Sequence, residues 1–530
     1  MRNLVTGRQM KAIDQYTIEE IGIPSLVLQE RAAWQVACEV KKRIKKETPV
    51  WAVCGTGNNG ADAVAAARIL CEEGYQATVI LAGDRGKETP ECTIQRKIAE
   101  NLRVLMMPWQ EAKEGFSGAV IDGLFGVGLT RKIEGEYQAC MEMVKRQPAG
   151  LTVAVDIPSG IDSDTGNVMG IALKADVTVT FGWEKCGTVL FPGRDFAGQV
   201  VVGNIGFSAL SYEKVAGRKS WEEKQSFTYD LSDLKRLPER AVYSNKGTFG
   251  RVLVAAGSKN MSGAAYFAAK AAYRCGAGLV KILTVEDNRE ILQEQLPEAI
   301  IASYSPEMAR EDTESFGRLL EKECVWADTV ILGPGIGMEG YARELVAGVL
   351  SLACSTIIVD ADALNIISRN PEMTRYYTEN VIITPHLGEM ARLTGKSIQE
   401  IQQNVPGTAA EYSAKWGITC VLKDGATAVT DKDGLRYLNT SGNNVLAKAG
   451  SGDVLTGVIG AFCARGMEPF EGAALGVYLH GIAGDMYKQK KGSASLLAGE
   501  LADMAGEAVD RGYLRQERGH DESEARAGLL

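Results

Sequence analysis

The chain has 530 residues, 45% of them apolar and 24% charged, which is an ordinary globular balance at a length that holds two or more domains. Lys plus Arg number 58 against 67 Asp plus Glu, and a net charge of −9 excludes a general nucleic-acid binder with its basic footprint. No uncharged apolar run reaches the ~18 residues that cross a bilayer, no apolar stretch follows a basic flank near Met1, and the 11 cysteines contain no C-x-x-C pair. These features predict a cytoplasmic protein with reduced, buried thiols, no membrane partner and no paired-cysteine zinc site.

In chain order, two helical stripes come first: Met10, Ile13, Thr17 and Ile21, then Leu26, Ala33, Val36 and Val40. Short, uncharged, β-branched runs follow at 50–54, 77–82, 119–122, 151–156 and 177–181. Helical stretches such as 60–73 and 135–146 separate them. This alternation predicts a parallel sheet with helices on both faces. The rhythm stops near Phe207, and a polar, aperiodic stretch predicts a linker over 211–228. It restarts at Gly250, with strands at 251–256, 279–285, 329–333, 356–360, 381–384 and 419–423 and helices at 263–275 and 453–464. The charged segment 515–530 predicts a disordered tail. The fold class read from this pattern is α/β in two domains, 1–210 and 229–514.

In open α/β sheets, ligands bind at the carboxyl ends of strands. Three such ends in the first domain carry unusual polar groups. Cys54-Gly-Thr-Gly-Asn-Asn-Gly-Ala-Asp62 is a glycine-rich turn into a helix whose first amides suit a phosphate. A plain strand-to-helix turn also wants Gly and Asn, but it does not need Asn58, Asn59 and Asp62 together. Asp122 closes a strand ahead of a Gly-rich loop, where it suits a ligand or a cation, or caps its own turn. Asp156 follows an apolar strand and precedes Pro-Ser-Gly; a buried carboxylate there serves as a general acid or base, or else as a turn acid.

Asn-Asn-Gly-x-Asp (58–62), Asp-Gly-Leu-Phe-Gly-x-Gly (122–128) and Asp-Ile-Pro-Ser-Gly (156–160) resemble the YjeF N-terminal domain, the NAD(P)H-hydrate epimerase family, over residues 1–210. The resemblance implies a Rossmann-like parallel-sheet domain. It implies that Asn58, Asn59, Gly60, Ala61 and Asp62, with Gly126, Val127, Gly128, Leu129, Thr130, Arg131 and Lys132, hold the hydrated dinucleotide. It also implies that Asn59, Asp122 and Ser159 surround a potassium ion, and that Asp156 touches the substrate and transfers its proton. Ala61 departs from the family, which usually has a second Gly there; its methyl is expected to tighten the phosphate loop slightly.

In the second domain, Asn443-Asn-Val-Leu-Ala-Lys-Ala-Gly-Ser-Gly-Asp453 precedes an apolar helix. Gly450 and Gly452 permit a tight turn, and the helix amides and dipole stabilise an anion. Asp453 at that terminus takes a proton from a hydroxyl attacking a terminal phosphoryl group, or merely caps the helix. The loop resembles the ribokinase superfamily. Gly257-Ser-Lys-Asn-Met-Ser-Gly-Ala-Ala265, Ala272-Tyr-Arg-Cys-Gly-Ala-Gly-Leu279, Gly333-Pro-Gly-Ile-Gly337, Val359-Asp-Ala-Asp-Ala-Leu364, Thr384-Pro-His-Leu-Gly-Glu-Met390 and Lys423-Asp-Gly-Ala-Thr427 narrow it. Together they resemble the ADP- or ATP-dependent NAD(P)H-hydrate dehydratases over 228–513.

That second resemblance implies a ribokinase-like α/β domain. Lys423, Asp424, Gly425, Ala426 and Thr427 would bind the adenine nucleotide with Asn443, Asn444, Val445, Leu446, Ala447, Lys448, Ala449, Gly450, Ser451 and Gly452. Ala264, Gly335, His386 and Asp453 would contact the hydrated nicotinamide nucleotide, with Asp453 as the base. Magnesium would accompany the nucleotide, with Glu389 helping to order it. His386, at a strand end, is read as a substrate contact in preference to a structural hydrogen-bonder. His480, in an apolar helical stretch, is read as structural.

The two resemblances together imply a bifunctional repair enzyme. The first domain would interconvert the R and S hydrates of NADH and NADPH, and the second would dehydrate the S form at the expense of ADP or ATP, the fused order suggesting ADP. Self-association as a homo-oligomer is expected from the family. Two other classes remain at this stage: a small-molecule kinase in the second domain, and a non-catalytic binding module in the first. Retention of Asn59, Asp122, Asp156 and Ser159 argues against the latter.

Overall fold

Seven short runs form the sheet of the first domain: β1 (Val50–Cys54), β2 (Ala77–Leu81), β3 (Leu105–Pro108), β4 (Ala119–Gly123), β5 (Leu151–Val155), β6 (Val177–Phe181) and β7 (Gln199–Gly203), of which β4 and β6 are fully buried. Every neighbouring pair is parallel, in the order β3-β2-β1-β4-β5-β6-β7. The chain winds one way from β1 to β3 and the other way from β4 onward. A crevice therefore opens between the carboxyl ends of β1 and β4, where an open α/β sheet binds its ligand. Three helices border it: α1 (Gly7–Glu19), α2 (Ser25–Lys41) and α3 (Asn58–Glu72). Thr6 and Gln9 form a capping box at the start of α1. The core under the sheet is Val and Ala of α2 and α3 against β1, β4 and β5.

The computed structural model describes residues 1–112, 116–146, 150–216, 225–352 and 355–527, with side chains to 516. The chain divides into Asn3–Ser226 and Phe227–Leu530, the latter unit also taking in Met1–Arg2.

The sheet of the second unit repeats the plan. Its strands are β8 (Arg251–Ala255), β9 (Leu279–Val285), β10 (Ile300–Tyr304), β11 (Thr329–Leu332), β12 (Thr356–Val359), β13 (Val381–Ile383) and β14 (Thr419–Leu422). The order β10-β9-β8-β11-β12-β13-β14 is parallel throughout, and an antiparallel pair, β15 (Ala428–Thr430) and β16 (Arg436–Leu438), extends it. The helices that matter to the site are α4 (Ser262–Arg274), α5 (Leu387–Thr394), α6 (Ser451–Ala464) and α7 (Ala498–Ala527).

Several expectations are corrected. The strands anticipated through 82, 156, 256, 333, 360, 384 and 423 each end one residue earlier, and the one anticipated through 122 ends one residue later. Asp156 and Gly333 leave the strand at φ 65 and 121, a left-handed turn that no strand accommodates. The edge strands β3, β7 and β10 were not anticipated; they are half-exposed and lack the uniform apolar signal of buried strands. The segment expected to be a linker holds a helix at Ala209–Ala216 and a strand at Ser226–Thr228, with 217–224 outside the described residues. Its polar average hides Tyr212, which packs on Val5, Met10 and Ile13. The segment expected to be a disordered tail continues α7 to Ala527, because Ala, Leu, Glu, Gln and Arg are strong helix formers; 528–530 lie outside the described residues.

Helices α4 and α6 touch through backbone. A Cβ at Gly457 would lie 2.2 Å from Ala268 O and 2.7 Å from the Ala271 methyl. Gly457→Ala is accordingly expected to destabilise the second domain by about 1–3 kcal/mol through overpacking. The midpoint of its chemical denaturation measures this; an unchanged midpoint would mean that the helices separate freely.

Candidate functional site

The crevice of the first domain is a cavity of about 450 Å³. One wall is main chain: Gly57, Asn58 and Asn59 at the start of α3, and Leu124 to Leu129 after β4. Glycine allows the two loops to meet. A Cβ at Gly60 would lie 2.0 Å from Gly55 O, and one at Gly55 2.3 Å from Leu124 O. The first amides of α3 are left bare, as an anion requires. Asn58, Asn59, Asp62, Gly126, Val127, Gly128, Leu129 and Asp156 all line the cavity. Gly60 and Ala61 lie behind the wall, outside its lining. The Ala61 methyl is wholly buried. Thr130, Arg131 and Lys132 continue the loop on the exposed surface.

Behind that wall, four groups form one network. Ser159 donates to Asp122 from its backbone N (2.8 Å, to Oδ2) and from its hydroxyl (2.6 Å, to Oδ1). Phe125 N donates to Ser159 Oγ at 2.9 Å, and Asn59 Nδ2 donates to Phe125 O at 3.0 Å. Burial pushes the Asp122 carboxyl up to about 6, against the pull of the Ser159 bonds. Among the described residues, no three of His, Cys, Asp or Glu gather as a metal cluster. This network offers instead one carboxylate with amide, hydroxyl and carbonyl oxygens.

The opposite wall is acidic. Asp156, at φ 65, turns its carboxylate toward β6; a non-glycine residue held in that region stores about 1–3 kcal/mol. Its Oδ1 accepts from Lys185 Nζ at 2.5 Å, Thr180 Oγ1 at 3.2 Å and Phe181 N at 3.3 Å. Lys185 is completely buried, and its ammonium also donates to Thr180 Oγ1 and Phe181 O. A two-residue strand, Glu184–Lys185, fixes it in place by pairing in parallel with Arg2–Val5. Asp14 on α1 and Asp62 on α3 complete the wall. Burial, with the charge of Asp156, pushes both carboxyls up, Asp62 well above its ordinary value. Three carboxyls thus share one cavity with one ammonium, which is bonded to Asp156. Sequence reasoning missed Asp14, one acid on the polar flank of an amphipathic helix, and Lys185, whose burial reverses what hydropathy predicts for lysine. The available signal was a Glu-Lys pair, Glu184–Lys185, just past the end of β6 between two apolar runs.

The second site lies where β12, β13 and β14 end. Asp360, Thr384 and Lys423 each follow the last residue of a strand. Lys423 Nζ donates to Asp360 Oδ1 at 2.9 Å, and Thr384 Oγ1 donates to the same oxygen at 2.7 Å. The start of α6 faces them. Gly450, at φ 85, turns the chain into the helix, and a Cβ at Gly452 would lie 3.4 Å from Lys423 Nζ. Asp453 occupies the first turn. Burial and the nearby charge of Asp360 push its carboxyl up to about 7, with Lys423 opposing. A group able to take up a proton near neutrality therefore sits beside an ammonium and a helix N-terminus.

The structure also brings Ala264 and Gly335 together: a Cβ at Gly335, where φ is 63, would lie 2.9 Å from the Ala264 methyl. His386 caps α5. Its Nδ1 accepts from Gly388 N (3.0 Å) and Glu389 N (3.3 Å), while Glu389 Oε2 accepts from His386 N (2.9 Å). An accepting Nδ1 assigns the ring proton to Nε2, and burial with the charges of Lys423 and Arg392 keeps the ring neutral by lowering its pKa. The ring stays half exposed, so capping and ligand contact are compatible. Glu389 is committed to the cap, which the magnesium role expected of it did not anticipate. In the 443–452 loop, Asn443 Oδ1 accepts from Val445 N, and its Nδ2 donates to Asp485 Oδ1 at 2.7 Å, a partner the sequence did not suggest. Asn444, Ala447, Lys448 and Ala449 are exposed, Val445 is buried and Leu446 is partly so. In the other loop, Asp424 and Gly425 are exposed, Ala426 is buried and Thr427 is intermediate. His480 is buried against Ser451, with Nε2 3.1 Å from Ser451 O, and burial lowers its pKa to about 4. It is a neutral prop for the start of α6.

Comparison with known proteins follows the same division. Residues 25–187 match the family described as YjeF-related protein N-terminus, and 252–506 the family described as NAD(P)H-hydrate dehydratase. The chain is 32% identical over 512 residues to the bifunctional NAD(P)H-hydrate repair enzyme Nnr of Thermofilum pendens, covering 94% of this chain and 95% of that one. It is 33% identical over 520 residues to the enzyme of the same name from Moorella thermoacetica, with 94% and 95% covered. The Escherichia coli K12 enzyme is 30% identical over 497 residues, with 93% and 90% covered. Among solved structures, the ADP/ATP-dependent NAD(P)H-hydrate dehydratase of Bacillus subtilis, co-crystallised with ATP/Mg2+, is 30% identical. It covers 54% of this chain and 98% of its own, with a TM-score of 0.46.

The raised pKa of Asp453 carries a signed prediction. Between its ordinary value of 3.8 and about 7, the folded chain binds more proton than the unfolded chain, so this group destabilises the fold progressively as pH rises through that window. Asp453→Asn removes that penalty. In calorimetry from pH 4 to pH 8, the variant's Tm is expected to gain on the parent's as pH rises; a difference that does not change with pH would contradict the assignment.

Proposed function

This chain belongs to the family of bifunctional NAD(P)H-hydrate repair enzymes, and on that premise we propose how its two sites divide the reaction. The first domain interconverts the R and S hydrates of NADH and NADPH. The second dehydrates the S hydrate at the expense of ADP or ATP, releasing AMP or ADP and phosphate. The observation that carries this reading is that each domain presents its own proton-handling carboxylate at a strand-end crevice: Asp156 beside Lys185, and Asp453 beside Lys423.

In the first domain, the bare amides at Gly57–Asn59 and the loop at Gly126–Leu129 take the phosphates, which the acidic wall repels. The hydrated ring then lies toward Asp156. Epimerisation requires the hydroxyl at one carbon to leave and return, and Asp156 moves the proton that accompanies it. Lys185 and Thr180 aim its carboxylate. Asn59, Asp122 and Ser159, with Phe125 O, form a set of hard oxygens suited to potassium. A cation there would balance the buried charge of Asp122 and stiffen the loop after β4.

In the second domain, the terminal phosphoryl group of the nucleotide, which arrives with its magnesium, lies against the N-terminus of α6 and Lys423. The 423–427 and 443–452 loops hold the rest of the nucleotide. Hydroxide is a poor leaving group and phosphate a good one. Asp453 takes the proton of the hydrate's hydroxyl as its oxygen bonds to phosphorus and the nucleotide departs one phosphate shorter. The ring nitrogen lone pair then expels phosphate, and loss of the adjacent C–H proton restores the dihydronicotinamide. Ala264, Gly335 and the Nε2–H of His386 contact the hydrate.

Absorbance at 340 nm on mixed R and S NADH hydrates, with magnesium, potassium and ADP or ATP, tests this. The parent is expected to recover all the NADH. Asp156→Ala should stop at the S fraction, with epimerisation slowed by about 10²–10⁴-fold. Asp453→Asn should recover none while still exchanging R and S. Undiminished turnover in either variant refutes that residue's role, and no recovery by the parent with either nucleotide returns the second domain to the small-molecule kinase reading.

A further inference from the structure

The cavity of the first domain holds one buried polar group that this chemistry does not employ. Gln29, on α2, lines the cavity and is only 6% exposed. Its Oε1 is sealed from solvent with no hydrogen-bond partner among the described residues. Folding normally satisfies such an atom, because a buried acceptor without a donor costs about as much as a lost hydrogen bond. A primary amide also turns end for end at little cost, so it can present either C=O or NH2 to the cavity.

The surroundings say what would satisfy it. Leu28 and Ala32 flank Gln29 on α2, and Phe181, Ile205 and Phe207 line the same cavity. These residues give the cavity an apolar part suited to the hydrated ring. Asp156 shares that cavity, so the ring that fills this part is the one that reacts. The phosphates are held elsewhere, at the bare amides of α3. A dihydronicotinamide hydrate carries one group that matches an amide at both ends, its carboxamide.

We propose that Gln29 recognises the carboxamide of the hydrated nicotinamide ring through a reciprocal amide–amide pair, each NH2 donating to the other carbonyl, and so determines specificity at the epimerase site. This rests on the reading of that cavity as the hydrate site. The side chain must first turn the sealed Oε1 edge of its amide into the cavity; the pairing then supplies the missing partner of Oε1 and fixes which edge of the ring faces α2. The reacting carbon is thereby presented to Asp156 in a single orientation.

The test compares the full-length parent with Gln29→Leu on two substrates. One is the R/S hydrate mixture of NADH. The other is the hydrate mixture of the reduced 3-acetylpyridine analogue, in which a methyl replaces the amide nitrogen. Exchange of R and S is followed by chromatography without nucleotide, so the second domain stays silent. On NADH hydrate, Gln29→Leu is expected to lose about 10–100-fold in kcat/KM, chiefly through KM, as for a lost buried hydrogen-bonded contact. On the acetylpyridine hydrate, the parent is expected to be already impaired, and the variant to fall less than 3-fold further. The substrate-free variant should melt no lower than the parent, since it loses an unsatisfied group. Equal losses on both substrates would mean that Gln29 merely shapes the cavity, and no loss on either would mean that it contacts nothing; each outcome overturns the proposal. A parent that exchanges neither hydrate pair removes the hydrate reading itself, and the proposal with it.

Discussion

A helix start brought close to a strand end is the contact on which both sites depend. In the first domain the contact is Gly60 on Gly55, and Gly55 on Leu124. In the second it is Gly452 beside Lys423, with Gly457 seated on Ala268 behind it. Parallel sheets make this arrangement available, because every strand points its carboxyl end the same way and the reversal of winding leaves a crevice there. Glycine then brings unsatisfied helix amides within reach of whatever enters. A methyl at any of these contacts except Gly452 would drive helix and neighbour apart.

The two sites solve one electrostatic problem in the same way. Each pairs a lysine with one carboxylate, the wholly buried Lys185 with Asp156 and the partly exposed Lys423 with Asp360. Each then places further carboxyls nearby whose pKa burial raises: Asp14 and Asp62 in the first, Asp453 in the second. A site that holds one acid in an ion pair and leaves another inclined to keep its proton has both a stabilised charge and a proton to exchange. The difference lies in which member faces the chemistry. In the first domain it is the paired acid, and in the second the raised one. That distinction matches a reaction that passes a proton back and forth, as against one that withdraws a proton from an attacking hydroxyl.

The sequence shows these sites unevenly. Strand-end acids and glycine loops are local patterns, so Asp122, Asp156, Asp453 and the 54–62 and 443–453 loops are legible before any coordinates. The neighbours that tune them are not. Asp14 comes from a helix far upstream, Lys185 is buried against its own hydropathy, and Asp485 reaches Asn443 from the helix Pro469–Lys491 that follows α6. Gln29 looks like one more polar residue on an amphipathic helix, and only its unpartnered oxygen in a cavity wall distinguishes it. The one-residue overreach at 156, 333, 360, 384 and 423 has a common cause. Apolar patterning runs to the edge of the sheet, but Asp156, Asp360, Thr384 and Lys423 must leave the ladder to free their side chains, and Gly333 must turn the chain away.

The short pairing of residues 4–5 with 184–185 has a consequence for the order in which the first domain becomes competent. During synthesis, the strand at 2–5 leaves the ribosome long before its partner. Asp14 and Asp62 emerge early, whereas the ammonium that shares their wall arrives only when residue 185 does. Through that interval the nascent chain holds an acidic cluster without its counter-charge and a strand edge with nothing to pair. Closure of so long a loop is entropically slow. The earliest-made segment of the domain is therefore among the last to settle, and the acid wall is completed by the same event that secures the amino-terminal strand.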